Sequence, residues 1–302
     1  MFVIFGAAGN VGRASAAALR QAGHPVRAVV RQARQAEPLT RLGCEIAVAD
    51  LTDPVTVARA LDGAQAVQML CPVPRSASQP AQAMRHMIDV AAGALLMNPP
   101  PRVVALSDYG AELCGGTGIT ELFHDLESRF APLGTRLCLL RSAEHMHNWA
   151  RVMPVALATG VLPSLHDPLG KQFPCVAAQD VGRLAAALLC EAFPSTTGAG
   201  PRVLSVEGPE RVSALDVARV LGEVAGREIV ARAVPREQWA ATLAQAGLSE
   251  QHARLIGDLF DAHNAGRIDV EPGVGQCRRG TTTLAQAFAA IVPRVMAAMS
   301  HR

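Results

Sequence analysis

The stretch MFVIFGAAGNVG, residues 1–12, decides how the rest of the chain is read. Phe2–Phe5 is a short, wholly apolar run, the pattern of a strand buried on both faces. Gly6, Gly9 and Gly12 follow in a GxxGxxG turn, and Val11–Ala22 then carries its apolar residues at helical spacing. Gly23 and Pro25 stop that helix, and Val26–Val30 reads as a second strand. In such a strand–turn–helix unit the first glycine permits the tight turn and the second lets a pyrophosphate approach the backbone. The third lets helix and strand pack closely. The helix N-terminus adds unpaired N–H groups and positive partial charge. Gly6, Ala8, Gly9, Asn10, Val11 and Gly12 are therefore the expected phosphate cradle of a dinucleotide.

The next strand ends choose the nucleotide. An NAD site usually places Asp or Glu after the second strand, to hold the ribose 2′-hydroxyl. Here that strand ends Val29-Val30-Arg31, with Arg34 close behind and no acid before Glu37. A guanidinium at Arg31 suits a 2′-phosphate, so NADP(H) is favoured over NAD(H). Asp50 and Leu51, after the third strand, fall where such folds meet the adenine. Cys71 and Pro72, after the fourth, fall near the nicotinamide.

Further strands are read at Glu45–Ala49, Ala66–Leu70, Arg102–Leu106 and Arg136–Leu140. Helices are read at Asp53–Leu61, Ala77–Gly93 and Thr120–Ala131. Strands alternating with helices at this spacing imply parallel βαβ units with right-handed crossovers, and a ligand site at the strands' carboxyl ends. Met153–Phe173, with several Pro and Gly residues, reads as irregular loops or short strands. Asp180–Phe193 (a helix) and Arg202–Val206 (a strand) still belong with the sheet. Helices at Ser213–Ala225, Gln238–Gly247, Ser249–Ala265 and Thr283–Ala298 and a strand at Glu228–Val234 complete the pattern. The expected fold is α/β: a doubly wound parallel Rossmann sheet from residues 1–150 plus about 178–206. A smaller C-terminal α/β domain from 151–177 and 207–302 would bind substrate or partner.

Composition narrows the function classes. Half of the 302 residues are hydrophobic, which excludes a disordered chain. Twenty-eight basic residues are interspersed with twenty-six acidic ones for a net charge of +2, so no nucleic-acid surface is expected. The seven cysteines are dispersed, without a CxxC or a Cys/His cluster, and read as reduced thiols rather than metal ligands. His145 and His147, two apart, are a poor metal pair. The N-terminus lacks a charged segment before its apolar run, and no stretch nears twenty apolar residues. Neither a signal peptide nor a membrane span is expected, and the location is expected to be cytoplasmic.

Several marks together resemble the NmrA-like group of atypical short-chain dehydrogenase/reductases. Besides residues 1–12 these are Val26–Arg31, Ala49-Asp50-Leu51, Val104–Ser107, His124 with Glu127, and Leu140-Arg141-Ser142 followed by Asn148. Gln179–Gly182, Val206–Glu210, Val234-Pro235 and Trp239 extend the likeness into the last third. The resemblance implies NADP(H) binding, a Rossmann core and a small C-terminal domain. Members of that group include quinone reductases, phenylpropanoid-type reductases and regulators that bind a nucleotide without catalysis.

Classical short-chain reductases donate a proton from Tyr, tuned by Lys four residues later on one helix face. Tyr109 and Lys171 are the only tyrosine and lysine, so this chain cannot form that pair. Three candidates take its place. Ser107, ending the fifth strand, offers a hydroxyl to a substrate carbonyl. Tyr109 offers a proton without a lysine to tune it, and His124 is the side chain titrating nearest neutrality. The bland alternatives are a strand-end cap for Ser107, a structural Tyr109, and a His124 and Glu127 that bond each other or the backbone. Hydride transfer to a quinone- or enone-like acceptor needs little more than positioning. The expected partner is such a small molecule, or else a regulated protein, with the chain then acting as an NADP(H) sensor. A homodimer is in keeping with related folds.

Overall fold

The computed structural model describes residues 1–192 and 200–300. In chain order its strands are β1 (Phe2–Ile4), β2 (Val26–Val30), β3 (Glu45–Val48), β4 (Ala66–Met69), β5 (Arg102–Asp108) and β6 (Leu137–Ser142). They continue with β7 (Glu144–His145), β8 (Val161–Ser164), β9 (Cys175–Val176), β10 (Arg202–Glu207), β11 (Val230–Ala233) and β12 (Gln276–Arg279). The α-helices are α1 (Asn10–Gln21), α2 (Glu37–Arg41), α3 (Pro54–Leu61), α4 (Pro80–Met97), α5 (Ile119–Phe130) and α6 (Met153–Thr159). Then come α7 (Ala178–Cys190), α8 (Ala214–Ala225), α9 (Trp239–Gln245), α10 (Glu250–Asn264) and α11 (Leu284–Ser300).

Eight strands form one sheet in the order β12-β10-β6-β5-β4-β1-β2-β3, and every neighbouring pair is parallel. The order reverses between β1 and β4, which places the switch point at their carboxyl ends. Alternate residues of the strands feed two cores. Ile4, Val30, Val104 and Leu140 pack with α1 and α7, whereas Val3, Met69, Ala105 and Leu139 pack with α3, α4 and α5. Fully buried residues such as Phe5 and Phe130 each contribute roughly 1.5–3 kcal/mol of apolar burial. Helix α7 lies so close to α1 that a Cβ on Gly182 would stand 2.4 Å from the Val11 carbonyl oxygen. Gly182 is what permits that approach.

A third core, with Met146, Trp149, Phe173, Leu221 and Phe288 among its members, belongs to the smaller α/β unit. There β8 pairs with β11, and β7 pairs with β9. Ser213 and Asp216 form a reciprocal capping box on α8, whose end is Gly226 in the left-handed region.

The boundaries differ from the sequence reading in ways that have causes. Helix α4 starts at Pro80, which is favoured in a first turn, and runs through Gly93 because Met84, Met87, Ile88, Ala91 and Leu95 bury one continuous stripe. Within the stretch read as irregular loops or short strands, Val161–Ser164 is such a strand, β8, but Met153–Thr159 form α6, with Pro154 opening the helix instead of breaking it. Helix α7 ends at Cys190, and Phe193, the expected end, lies outside the described residues. The largest departure is β12, an eighth strand supplied to the main sheet by the C-terminal third. Its four residues are all exposed, so no apolar alternation marks it. No helix among the described residues is long and apolar enough to cross a membrane.

Candidate functional site

The GxxGxxG turn forms at the carboxyl end of β1. Gly6 adopts a left-handed conformation (φ 72°), and a Cβ on Gly12 would lie 2.3 Å from the Gly6 carbonyl oxygen, a clash only glycine avoids. The Ala7 N–H is spent on Val29 and that of Gly9 on Gly6. The N–H groups of Ala8, Asn10, Val11 and Gly12 have no acceptor among the described residues, and Gly9 and Asn10 are exposed. A cradle of unspent donors at a helix N-terminus fits a pyrophosphate.

Arg31 lies exposed beyond β2 without a side-chain hydrogen bond among the described residues. Asp50, beyond β3, accepts from the Thr52 N–H and hydroxyl at 2.9 and 2.8 Å. The Thr52 amide first, and the Arg31 charge less strongly, hold its carboxyl below the ordinary range. Arg31 and Asp50 therefore stand beyond the carboxyl ends of the paired strands β2 and β3, and Leu51 packs against the α3/α4 core. Cys71 is buried and burial pushes its thiol up to about 12, so it offers the cleft backbone rather than sulfur. Pro72 beside it is exposed.

At the ends of β5 and β6 the candidates separate. The Ser107 hydroxyl donates to Glu127 Oε1 at 2.6 Å. Arg141 holds the same carboxylate at both oxygens, at 2.8 and 2.7 Å, and also reaches Glu112 at 3.0 Å and Glu271 at 2.5 Å. Burial opposes the charge on Arg141, but Glu127 outweighs it and raises the guanidinium above its ordinary value. His124 Nδ1 donates to the Ala111 carbonyl at 2.8 Å, which leaves Nε2 as its acceptor. Tyr109 is buried with its hydroxyl 3.7 Å from Cys277 Sγ, and burial pushes the phenol up. Thus Ser107 and Glu127 share one network, while His124 and Tyr109 bond elsewhere, to Ala111 and Cys277.

Between Ser107 and Tyr109 stands a residue the sequence reading passed over. Asp108 is partly exposed at the tip of β5, accepts from the Thr120 hydroxyl at 3.0 Å, and has no cationic partner among the described residues. Burial first, with the Glu144 and Glu127 carboxylates adding to it, pushes Asp108 up to about 7. Arg141 too was passed over as chemistry. Its signal is a lone charge inside the apolar strand Leu137–Ser142, which demands a buried partner. Glu112 and Glu271, distant in sequence, carry no comparable mark.

Two cavities lie elsewhere. One of about 290 Å³ is lined by Arg236, Trp239 and Asp261, and a groove of about 650 Å³ runs between α8 and β11. Neither touches the glycine turn. Among the described residues no group of three His, Cys, Asp or Glu is arranged to hold a metal.

Residues 6–118 match a family model described as NAD(P)H-binding. The NAD(P)H azoreductase of Xenophilus azovorans is 25% identical over 296 residues, covering 96% of this chain and 98% of that protein. The NADPH-dependent quinone oxidoreductase of Escherichia coli, solved with NADPH, superposes with a TM-score of 0.76 at 20% identity, covering 97% of this chain and 100% of that one. Citrobacter sp. triphenylmethane reductase, solved with NADP(H), gives 0.77 at 16% identity, covering 96% and 100%. The fold shared with these structures is a Rossmann-like α/β fold.

Proposed function

We propose, from the match of residues 6–118 to the NAD(P)H-binding family model, that the protein is an NADPH-dependent oxidoreductase reducing a quinone- or enone-like acceptor. The observation that carries this reading is the open cradle of four unspent N–H groups, with Arg31 and no carboxylate at the end of β2. Gly6, Ala8, Gly9, Asn10, Val11 and Gly12 hold the pyrophosphate, and Arg31 takes the 2′-phosphate in preference to a bare 2′-hydroxyl. Asp50 and Leu51 border the adenine, while Cys71 and Pro72 border the nicotinamide. NADPH, when bound, supplies the hydride. The azoreductase and quinone oxidoreductase likenesses support a reductase as well as a binder.

The acceptor's oxygen needs a proton as the hydride arrives. Asp108 supplies it: it stands at the carboxyl end of β5, partly open to solvent, and is held by Thr120. Ser107 donates its hydrogen bond to Glu127 and so offers lone pairs rather than a donor, which positions the Asp108 region of the strand. His124 Nε2 relays a proton from solvent at the rim, and Tyr109 closes the floor against β12. The small C-terminal unit covers the acceptor. A cytoplasmic location agrees with the seven unpaired thiols.

Calorimetric titration with NADPH, NADP+, NADH and NAD+, followed by acceptor trials at 340 nm, tests the reading. Tight NADPH binding with quinone-dependent oxidation is expected. Tight binding with no turnover by any quinone, enone or aldehyde would refute the reductase and leave a nucleotide-sensing protein.

A further inference from the structure

An unpaired strand edge is a template for another chain, and folded proteins commonly block it with like charges. The edge strand β12 is blocked in that way, carrying Arg278 and Arg279 and no acid. β11 is not. Among the described residues it pairs only with β8. The Val230 N–H bonds to the Gly160 carbonyl at 2.9 Å and the Val234 N–H to the Ser164 carbonyl at 2.8 Å, so alternate residues from Val230 face β8. Ile229 and Ala231 therefore turn their backbone N–H and C=O groups to the free side. The groove between α8 and β11 is lined by residues 226–231, so this stretch meets open space rather than a neighbouring element.

The side chains alternate as cleanly as the backbone. Ile229 is buried and Ala231 half-buried, whereas Glu228, Val230 and Arg232 are exposed, Val230 at 48%. Other charges along the groove are spent, Arg219 on Asp216 and Glu223, and Arg227 on the Leu157 carbonyl. Glu228 and Arg232 make no side-chain hydrogen bond or ion pair among the described residues. The exposed face of the strand thus runs minus, apolar, plus, an order complementary to itself when reversed. In an antiparallel pairing centred on Val230, Glu228 stands opposite Arg232 of the partner subunit, and Val230 opposite Val230 of the partner subunit. Ile229 then exchanges backbone hydrogen bonds with Ala231 of the partner subunit. A two-fold axis makes each unlike contact twice. Centring the pair on Glu228 or Arg232 instead would set like charges face to face.

We propose that β11 is a self-complementary edge that pairs antiparallel with β11 of a second copy of this chain, about a two-fold axis at Val230. The pairing is independent of the reductase reading. Light scattering and sedimentation across a concentration range test it, and a dimer in exchange with monomer is expected. Glu228→Arg and Arg232→Glu each set like charges opposite one another twice, and each should weaken dimerisation roughly tenfold or more. Glu228→Arg/Arg232→Glu restores unlike pairs in this register and should recover most of the parent's affinity. Ala231→Pro removes an outward N–H without touching a bond to β8, and should leave the chain monomeric. Far-ultraviolet circular dichroism equal to the parent's checks that each variant is folded. A parent chain monomeric at every concentration would overturn the self-pairing and leave the edge to an extended peptide. A dimer indifferent to both single reversals would overturn it too, since another surface would then join the copies. So would a double reversal as weak as the single ones.

Discussion

Replacing Gly182 by alanine sets two effects of known size against each other. Gly182 lies inside α7 with ordinary helical backbone, so alanine should gain about 1 kcal/mol of helix propensity. Its Cβ, however, would stand 2.4 Å from the Val11 carbonyl oxygen, 2.6 Å from Ala14 Cβ and 3.0 Å from the Ser15 nitrogen. Two of the three atoms are α1 backbone, which cannot swing aside, so the helices must part by about 1 Å to reach ordinary contact. Overpacking of this kind costs about 1–3 kcal/mol, and a rigid neighbour places it at the upper end. The net result is a loss of about 2 kcal/mol, or a Tm roughly 4 °C lower. Because Val11 opens α1 beside the phosphate cradle, NADPH affinity should fall severalfold with it. Gly93→Ala is the control: it lies in α4 with nothing within 4 Å of the new Cβ, and should raise stability by up to about 1 kcal/mol. Calorimetric melting and NADPH titration of both variants decide the matter. A Gly182→Ala protein as stable as its parent, with unchanged affinity, would refute the close-packing account.

Arg31→Ala should weaken NADPH about 5–30-fold in calorimetry, from about 1 kcal/mol per phosphate charge at an exposed site, and leave NADH unchanged; equal losses would sink the 2′-phosphate role. Asp108, raised to about 7, must be protonated to act, so quinone reduction should fall as pH rises through 7, and Asp108→Asn should be slow and pH-independent there. The same shift has a stability sign: a raised carboxyl destabilises the fold as pH climbs from about 4 towards 7. Asp108→Asn should therefore gain Tm relative to the parent at pH 8 and not at pH 4; the reverse order would contradict the assignment. Arg141→Met strands Glu127 without its cation and should cost about 3–5 kcal/mol in denaturant unfolding, with Arg141→Met/Glu127→Leu recovering much of it.

Most of the sheet was legible because its central strands are buried on both faces and β1 runs into the plain turn chemistry of Ile4–Gly6, just as α8 was marked by its Ser213–Asp216 capping box. The cradle was legible for the same reason: glycine spacing there is a backbone requirement, visible in one dimension. What escaped depends on distance in space. Ser107 reads as a free hydroxyl until Glu127, twenty residues later, is seen to accept its hydrogen bond. Asp108 looks like any strand-end carboxylate, and only the nearness of Glu144 and Glu127 and its enclosure make it an acid. Strand β12 escaped because an exposed, polar edge strand owes its place to backbone pairing alone, which side-chain periodicity does not record.

That last strand bears on how the protein is made. β12 completes the sheet beside β10, and Asp180 at the start of α7 pins the following segment through the Thr282 N–H and hydroxyl at 2.8 and 3.0 Å. About 70 residues separate β10 from β12. At roughly 5–20 residues per second, β10 waits several seconds on the ribosome with its outer edge bare. During that interval the nascent chain offers an unpaired strand to its neighbours. The part of the small unit between β10 and β12, with α8, β11, α9 and α10, is thus synthesised while the sheet is still unfinished, and α11 follows only after the sheet is complete.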